Sequence, residues 1–215
     1  MRKLVRDWVR LLAEMMPLPE PIVEFGSLQV EGVGDLANLR PLFPGKRFVG
    51  TDLRPGLGVD CVLDLHQVGL HDETAGTILV LDTLEHVEYP RRAMEEIARA
   101  LKPEGAFLLS SVMDFPIHEH PYDFWRFTPS GFESLLRIFP ARVVFALGRA
   151  DFPHTVLGVA WKSAPKSEVI AELRRAMEPW VREWERIVRD DERRQARKRL
   201  IPAPIRNAWR RSRRR

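Results

Sequence analysis

Apolar residues at Leu4, Trp8, Leu11, Leu12 and Met15 recur at helical spacing, with Arg6, Asp7, Arg10 and Glu14 between them. Residues 2–16 therefore predict an amphipathic helix, closed by Pro17, that packs as a lid on the domain after it. Beyond Pro17 the period changes. Short apolar runs bounded by turn residues stand at Ile22 to Phe25, Arg47 to Thr51, Val59 to Leu63, Thr77 to Leu81 and Ala106 to Val112. They are apolar at consecutive rather than alternate positions, as strands of a parallel sheet covered on both faces are.

Helical patterns fit between these runs. The clearest is Arg91 to Leu101, where Ala93, Ile97, Ala100 and Leu101 form one stripe and Lys102-Pro103-Glu104-Gly105 ends it. Strand, helix, strand order implies right-handed crossovers. A further helix is expected over Ser130 to Phe139. Two strands come next, Ala141 to Leu147 and Thr155 to Trp161, and their short link, Gly148 to His154, predicts an antiparallel pair at the sheet edge. From Ser167 to about Arg199 the pattern is one long charged helix with Ile170, Leu173, Met177, Trp180, Trp184, Ile187 and Val188 as its apolar stripe; Ile201-Pro202-Ala203-Pro204 breaks it. The expected architecture is α/β: a doubly wound, mostly parallel sheet of seven strands. Its divisions are an N-terminal helix (1–20), a ligand-binding domain (21–165), and a C-terminal helix with a basic tail (166–215).

With 215 residues, 45% of them hydrophobic, the chain can bury one sizeable core. The net charge of +4 is unevenly placed: residues 193–215 hold eleven Lys or Arg and no Asp or Glu, which leaves 23 basic against 30 acidic residues in the body. Polyanion binding, to nucleic acid or an anionic surface through Trp209 and the arginines, is thus a matter for the tail and not the pocket; a solvated tail is the alternative. The single cysteine, Cys61, lies in an apolar run and is expected to be a small core residue, with no disulfide partner. No apolar run approaches the roughly 18 residues a membrane span needs, and no export signal is visible, so a cytoplasmic location is expected.

The chemistry gathers at strand ends. Ile22-Val23-Glu24-Phe25-Gly26 leads into a loop holding Ser27, Gly32 and Gly34, and the next strand ends at Asp52, 26 positions after Gly26. In an open parallel sheet a ligand lies beyond such ends, where glycine permits close approach of the backbone and a carboxylate can accept two hydrogen bonds from a ribose diol. An adenosine-containing cofactor is the expectation, with Asp52 on its ribose. Turn formation alone also accounts for the glycines, and a cap for the aspartate. Asp64 with the amide of Leu65 follows the third strand, suited to an adenine edge, and Asp82 ends the fourth.

Glu24-Phe25-Gly26-Ser27, Gly50-Thr51-Asp52-Leu53-Arg54-Pro55-Gly56, Val62-Leu63-Asp64-Leu65-His66, Leu84-Glu85-His86-Val87 and Leu101-Lys102-Pro103-Glu104-Gly105 resemble, in that order, the successive motifs of class I S-adenosylmethionine-dependent methyltransferases, which have a Rossmann-like fold. Pro121-Tyr122-Asp123-Phe124-Trp125-Arg126-Phe127-Thr128-Pro129 resembles a segment of a bacterial subgroup of methyltransferase type 11. The resemblance implies S-adenosylmethionine as cofactor, held by Glu24, Gly26, Ser27, Asp52, Leu53, Asp64, Leu65, Asp82, Thr83 and Leu84. The family's Gly-x-Gly-x-Gly loop is replaced here by Gly26-Ser27-Leu28-Gln29-Val30-Glu31-Gly32-Val33-Gly34.

A sulfonium donor needs an acceptor lone pair held in line with its methyl carbon, so positioning supplies much of the rate and a base is needed only where the acceptor must lose a proton. The loop from Asp114 to Arg126 is placed to receive that acceptor, small or macromolecular. His118 or His120 is the candidate base; His86, Tyr122, Trp125 and Arg126 are candidate pocket residues. No metal is expected, although His118-Glu119-His120 with Asp114 or Asp123 is a ligand set to weigh against that. The rival readings are a noncatalytic module acting through its C-terminal helix and tail, and a nicotinamide-dependent oxidoreductase, which would want Gly-x-Gly-x-x-Gly directly after the first strand.

Overall fold

The computed structural model describes residues 2–29, 34–118 and 121–200. The middle of the loop after Gly26, residues Glu119 and His120, and the tail from 201 lie outside the described residues. The chain divides into two compact units, 1–174 and 175–215.

Helix α1 (Lys3–Met15) buries Leu4, Val5, Trp8, Val9 and Leu12, the stripe its periodicity predicts, and a single turn, α2 (Gly34–Ala37), follows the loop after Gly26. Seven strands follow: β1 (Ile22–Phe25), β2 (Phe48–Asp52), β3 (Cys61–Val62), β4 (Ala75–Leu81), β5 (Leu101–Val112), β6 (Ala141–Arg149) and β7 (Phe152–Trp161). They form one sheet in the order β3-β2-β1-β4-β5-β7-β6. The first five are parallel and β7 runs antiparallel to both β5 and β6. This is the expected mixed sheet. The chain lays down β1, β2 and β3 to one side and then returns to place β4 on the other side of β1. That reversal opens a crevice at the C-terminal ends of β1 and β4, where open α/β sheets bind ligands.

Every residue of β1 and β4 is buried, which explains their unbroken apolar runs. Helix α3 (Pro90–Ala100) lays Ala93, Met94, Ile97 and Ala100 into the core, where they join Phe107 and Leu109 of β5 and Phe132, Leu135 and Leu136 of α4 (Pro129–Leu135) and its continuing turn. Helix α5 spans Ser167–Leu200, with Pro179 inside it; the Trp180 and Trp184 rings meet at a tilt of 53°, centroids 6.2 Å apart.

Four expectations are corrected. The run Val59 to Leu63 is not a buried strand: only Cys61 and Val62 pair, on the outer edge of β2. The Asp60 carboxylate accepts from the Gly50 amide at 2.8 Å and forms an ion pair with Arg40, and this polar anchor holds the run at the surface. Cys61 is accordingly exposed, not a core residue. At the far end β5 begins at Leu101 and not at Ala106: the helix ends at Ala100 as expected, but Leu101 passes straight into the strand, pairing with Ala75, while Ala106 pairs with Thr77, so Lys102 to Gly105 forms an irregularity within it. The β6–β7 link is a tight hairpin, since pairing continues to Arg149 and Phe152 past a register shift at Gly148, whose φ is 112°.

Candidate functional site

The crevice holds a cavity of about 300 Å³, at the lower end of small-molecule sites. Its floor begins at Gly26, where the amides of Gly26 and Ser27 both donate to the carbonyl of Thr51, at 2.9 and 3.0 Å, and turn the chain out of β1. Gly26 sits at φ 82°, and a Cβ there would lie 2.2 Å from the Thr83 hydroxyl oxygen. Only glycine fits both restrictions. Ser27 is buried beneath the floor, donating to the Gly58 carbonyl at 3.1 Å.

Asp52, at the end of β2, lines the cavity. Its Oδ2 accepts from the Leu28 amide at 3.3 Å and its Oδ1 from the Arg54 amide at 3.1 Å. Two backbone donors fix the carboxylate and leave lone pairs on both oxygens for a diol. Leu53 and the buried Leu65 line the same space. Asp64 does so from an exposed position, accepting from the amide and Nδ1 of His66, at 2.8 and 2.7 Å, while His66 Nε2 accepts from the Tyr89 amide. His66 is thus a neutral imidazole protonated on Nδ1, and Asp64 orients it.

Asp82, at the end of β4, has φ 48° and is bound on both oxygens by Arg2. Its Oδ1 also accepts from the Ser110 hydroxyl at 2.8 Å. Burial works against ionisation here, but the Arg2 pair outweighs it and holds the carboxyl below its ordinary value. Arg2 itself lines the cavity and contacts Thr155. Thr83 donates to the carbonyl of Leu81 at 2.9 Å. Three residues expected near the cofactor do not reach the cavity: Ser27 is buried beneath the floor, Leu84 is fully buried in the core, and Glu24 is buried inside β1, where burial pushes its carboxyl up to about 8.

The opposite wall carries Glu85, His86, Val112, Phe115 and His118. Glu85 is fully buried; its Oε2 accepts from the Ser111 hydroxyl at 2.7 Å, and burial, with the charge of Asp82, pushes its carboxyl up to about 7. His86 Nδ1 donates to the Tyr122 carbonyl, and the rings of His86 and His118 meet edge to face with centroids 4.9 Å apart. The loop after β5 folds back onto this wall, because the amides of Phe124 and Trp125 both donate to the Glu85 carbonyl, at 2.8 and 3.1 Å. Arg126 grips Asp123 with both terminal nitrogens and donates to the carbonyls of Phe115 and Pro116, which holds Asp123 well below the usual carboxylate range.

Tyr122, Trp125 and Arg126 therefore stand behind the wall and do not line the cavity. Tyr122 is exposed; Trp125 donates its indole N–H to the Val87 carbonyl at 3.0 Å; Arg126 staples the loop. His120 lies outside the described residues. Arg2 and Glu85 line the cavity although the sequence reading gives neither a site role. Glu85 carried a signal, a lone carboxylate between Leu84 and the helix-starting segment. Arg2 carried none, since its partner is 80 positions away.

Residues 32–109 match the family model of a methyltransferase domain. Over that stretch the chain is similar to methyltransferase domains. Solved structures share its fold at low identity. A SAM-dependent methyltransferase from Archaeoglobus fulgidus aligns with a TM-score of 0.58 at 13% identity, covering 75% of this chain and 95% of that one. One from Aquifex aeolicus aligns at 0.51 and 15%, covering 74% and 92%. A Thermotoga maritima protein described as a possible histamine N-methyltransferase aligns at 0.52 and 18%, covering 75% and 90%. No curated protein matches the chain. No helix among the described residues is long and apolar enough to cross a membrane.

Proposed function

We propose that this methyltransferase binds S-adenosylmethionine between Gly26, Asp52 and Thr83 and methylates an acceptor that enters against Glu85, His86 and His118. The observation that carries the reading is the Asp52 carboxylate, fixed by two backbone amides at the rim of a cavity whose floor is a glycine that no side chain can replace. These residues fit the cofactor: Asp52 offers acceptors to a ribose diol, Leu53, Leu63 and Leu65 offer an apolar face to a base, and Gly26 lets the chain approach closely. When bound, the cofactor supplies an electrophilic methyl carbon on a sulfonium centre.

The chain's own part is to position and to exclude. Asp82 is neutralised by Arg2, so this wall adds no second loose charge beside Asp52. Val112 and Phe115 give the acceptor side an apolar lining. His118 sits where a base is needed. Its Nδ1 faces the Pro116 carbonyl at 3.2 Å and the Asp123 carboxylate at 3.3 Å, both acceptors, so in the neutral ring the lone pair lies on Nε2. Asp123 positions that ring, and Arg126 positions Asp123. The exposed lone thiol of Cys61 suits a reducing compartment, in line with a cytoplasmic enzyme.

The test is calorimetric titration of the full chain with S-adenosylmethionine and with S-adenosylhomocysteine. Saturable one-to-one binding of both is expected. Absence of heat at millimolar cofactor would overturn the reading in favour of a noncatalytic module.

A further inference from the structure

We propose that Glu85, His86 and His118 bind one divalent transition-metal ion of the zinc class, whose open position faces the acceptor side of the cavity. The proposal deepens the methyl-transfer reading and rests on it for the role of the ion. One donor atom from each of the three residues lies within 4.8 Å of the other two, and all three residues line the cavity.

Both imidazoles are oriented from behind in the manner metal-binding histidines require. His86 Nδ1 faces the carbonyl of Tyr122; His118 Nδ1 faces the Pro116 carbonyl and Asp123 Oδ2. Carbonyl and carboxylate oxygens only accept, so each Nδ1 carries a proton, and in the neutral ring each Nε2 carries the lone pair. A ring N–H donating to a carbonyl or carboxylate while the other nitrogen holds a metal is the usual outer support of such ligands. Asp123 thereby gains a purpose beyond its ion pair with Arg126, and a cation takes the place on His118 that a proton would otherwise fill.

Glu85 is the second, independent observation. It is fully buried and lines the cavity, and while Oε2 is taken by Ser111, Oε1 is buried without a hydrogen-bond partner. A buried carboxylate oxygen left with nothing to hold is unfavourable, and a cation among two imidazoles is the partner that removes the cost.

Two imidazoles and one carboxylate are the protein ligands of open zinc sites, which keep a fourth position for water or substrate; magnesium and calcium prefer all-oxygen sets. Zinc ligands stand about 2.0–2.2 Å from the ion, so the three donors draw closer on binding. His118, on the loop after β5, is the member outside any helix or strand and supplies that movement. The ion would hold the acceptor's oxygen, nitrogen or sulfur atom. On coordination the acceptor's X–H bond breaks, its proton passes to water, and the electron pair stays on X as a lone pair; nothing is oxidised or reduced.

The experiment titrates chelator-treated full chain with Co²⁺, read by visible absorption, and then with Zn²⁺ by calorimetry. One equivalent of Co²⁺ should give ligand-field bands of a low-coordinate site, which Zn²⁺ displaces. His86→Ala and His118→Ala should each lose those bands and weaken Zn²⁺ at least about tenfold, while Cys61→Ser and His71→Ala keep both. Should either alanine variant melt early, Glu85→Gln replaces it, since the amide oxygen can still accept from Ser111. Absence of one-to-one Co²⁺ binding in the wild type, or bands that persist in the His86→Ala/His118→Ala double variant, would overturn the site. Cofactor titration of the same samples separates the two readings. A wild type that binds S-adenosylmethionine but no metal ends this proposal alone. One that binds metal but no cofactor ends the methyl-transfer reading.

Discussion

Along the wall made by β1, β2 and β4, the groups facing the cavity come from short strand-to-loop turns, each fixed by backbone hydrogen bonds: Gly26 to Thr51, Leu28 and Arg54 to Asp52. The opposite wall is assembled from segments far apart in the chain, with Glu85 beneath Phe124 and Trp125, His86 against Tyr122, and His118 held by Asp123. The first wall is rigid because the sheet makes it so. The second is rigid only while the loop after β5 stays stapled. A cofactor common to many enzymes suits the first construction, and an acceptor particular to one enzyme suits the second.

Substitutions on each wall can break that contrast. The largest effect is expected at Gly26, where alanine would meet Thr83 and adopt an unfavourable φ; Gly26→Ala should cost roughly 2–5 kcal/mol of stability and abolish cofactor binding. A melt unchanged from wild type would show that the turn has room.

Next is Glu24, whose carboxyl rises on burial from 4.5 to about 8. A raised acid contributes stability that is complete below about pH 4.5 and is lost as the pH climbs to about 8. Glu24→Gln cannot ionise, so it should gain on the wild type across that window, by an amount on the order of a few kcal/mol, and hold its lead above it. Denaturant unfolding at about pH 5 and about pH 9 measures this; an equal difference at both would remove Glu24 from the pH dependence.

Arg126→Ala belongs to the other wall. It strips Asp123 of its guanidinium and should cost about 1–3 kcal/mol while leaving cofactor affinity alone. A large loss of cofactor affinity would join the two walls into one unit. Smallest of all is truncation after Leu200, expected to leave cofactor binding unchanged and to remove retention on a polyanion matrix. Retention that survives would locate polyanion binding in the body.

The contrast also accounts for how much the sequence could convey. Strand ends are local: an apolar run, a turn and a carboxylate lie within a few residues, so Gly26, Asp52 and Asp82 can be placed from their neighbours alone. Seven strands and their order of direction come from the same runs. Cys61 and the run around it mislead, because whether an apolar segment is buried depends on its neighbours in the sheet, and Asp60 binds Arg40 and Gly50 instead of letting the run sink. The places of Arg2 and Glu85 in the cavity wall are hidden from the sequence for a related reason. Arg2 meets its partner across 80 positions, and Glu85 is fixed by Ser111 on the neighbouring strand, 26 positions on. Tyr122, Trp125 and Arg126 lie in a segment whose position suggests an acceptor wall, but a loop that folds back onto its own support turns these residues away from the cavity. Periodicity carries no trace of that reversal.

The central claim is that Asp52 holds the cofactor through its ribose, and the dissociation constant of S-adenosylmethionine for wild type and Asp52→Ala tests it most directly. Loss of charge-assisted hydrogen bonds should weaken binding by about 1–3 kcal/mol, roughly five- to 150-fold, with the melt of the free protein little changed. Equal dissociation constants for the two proteins would contradict the account.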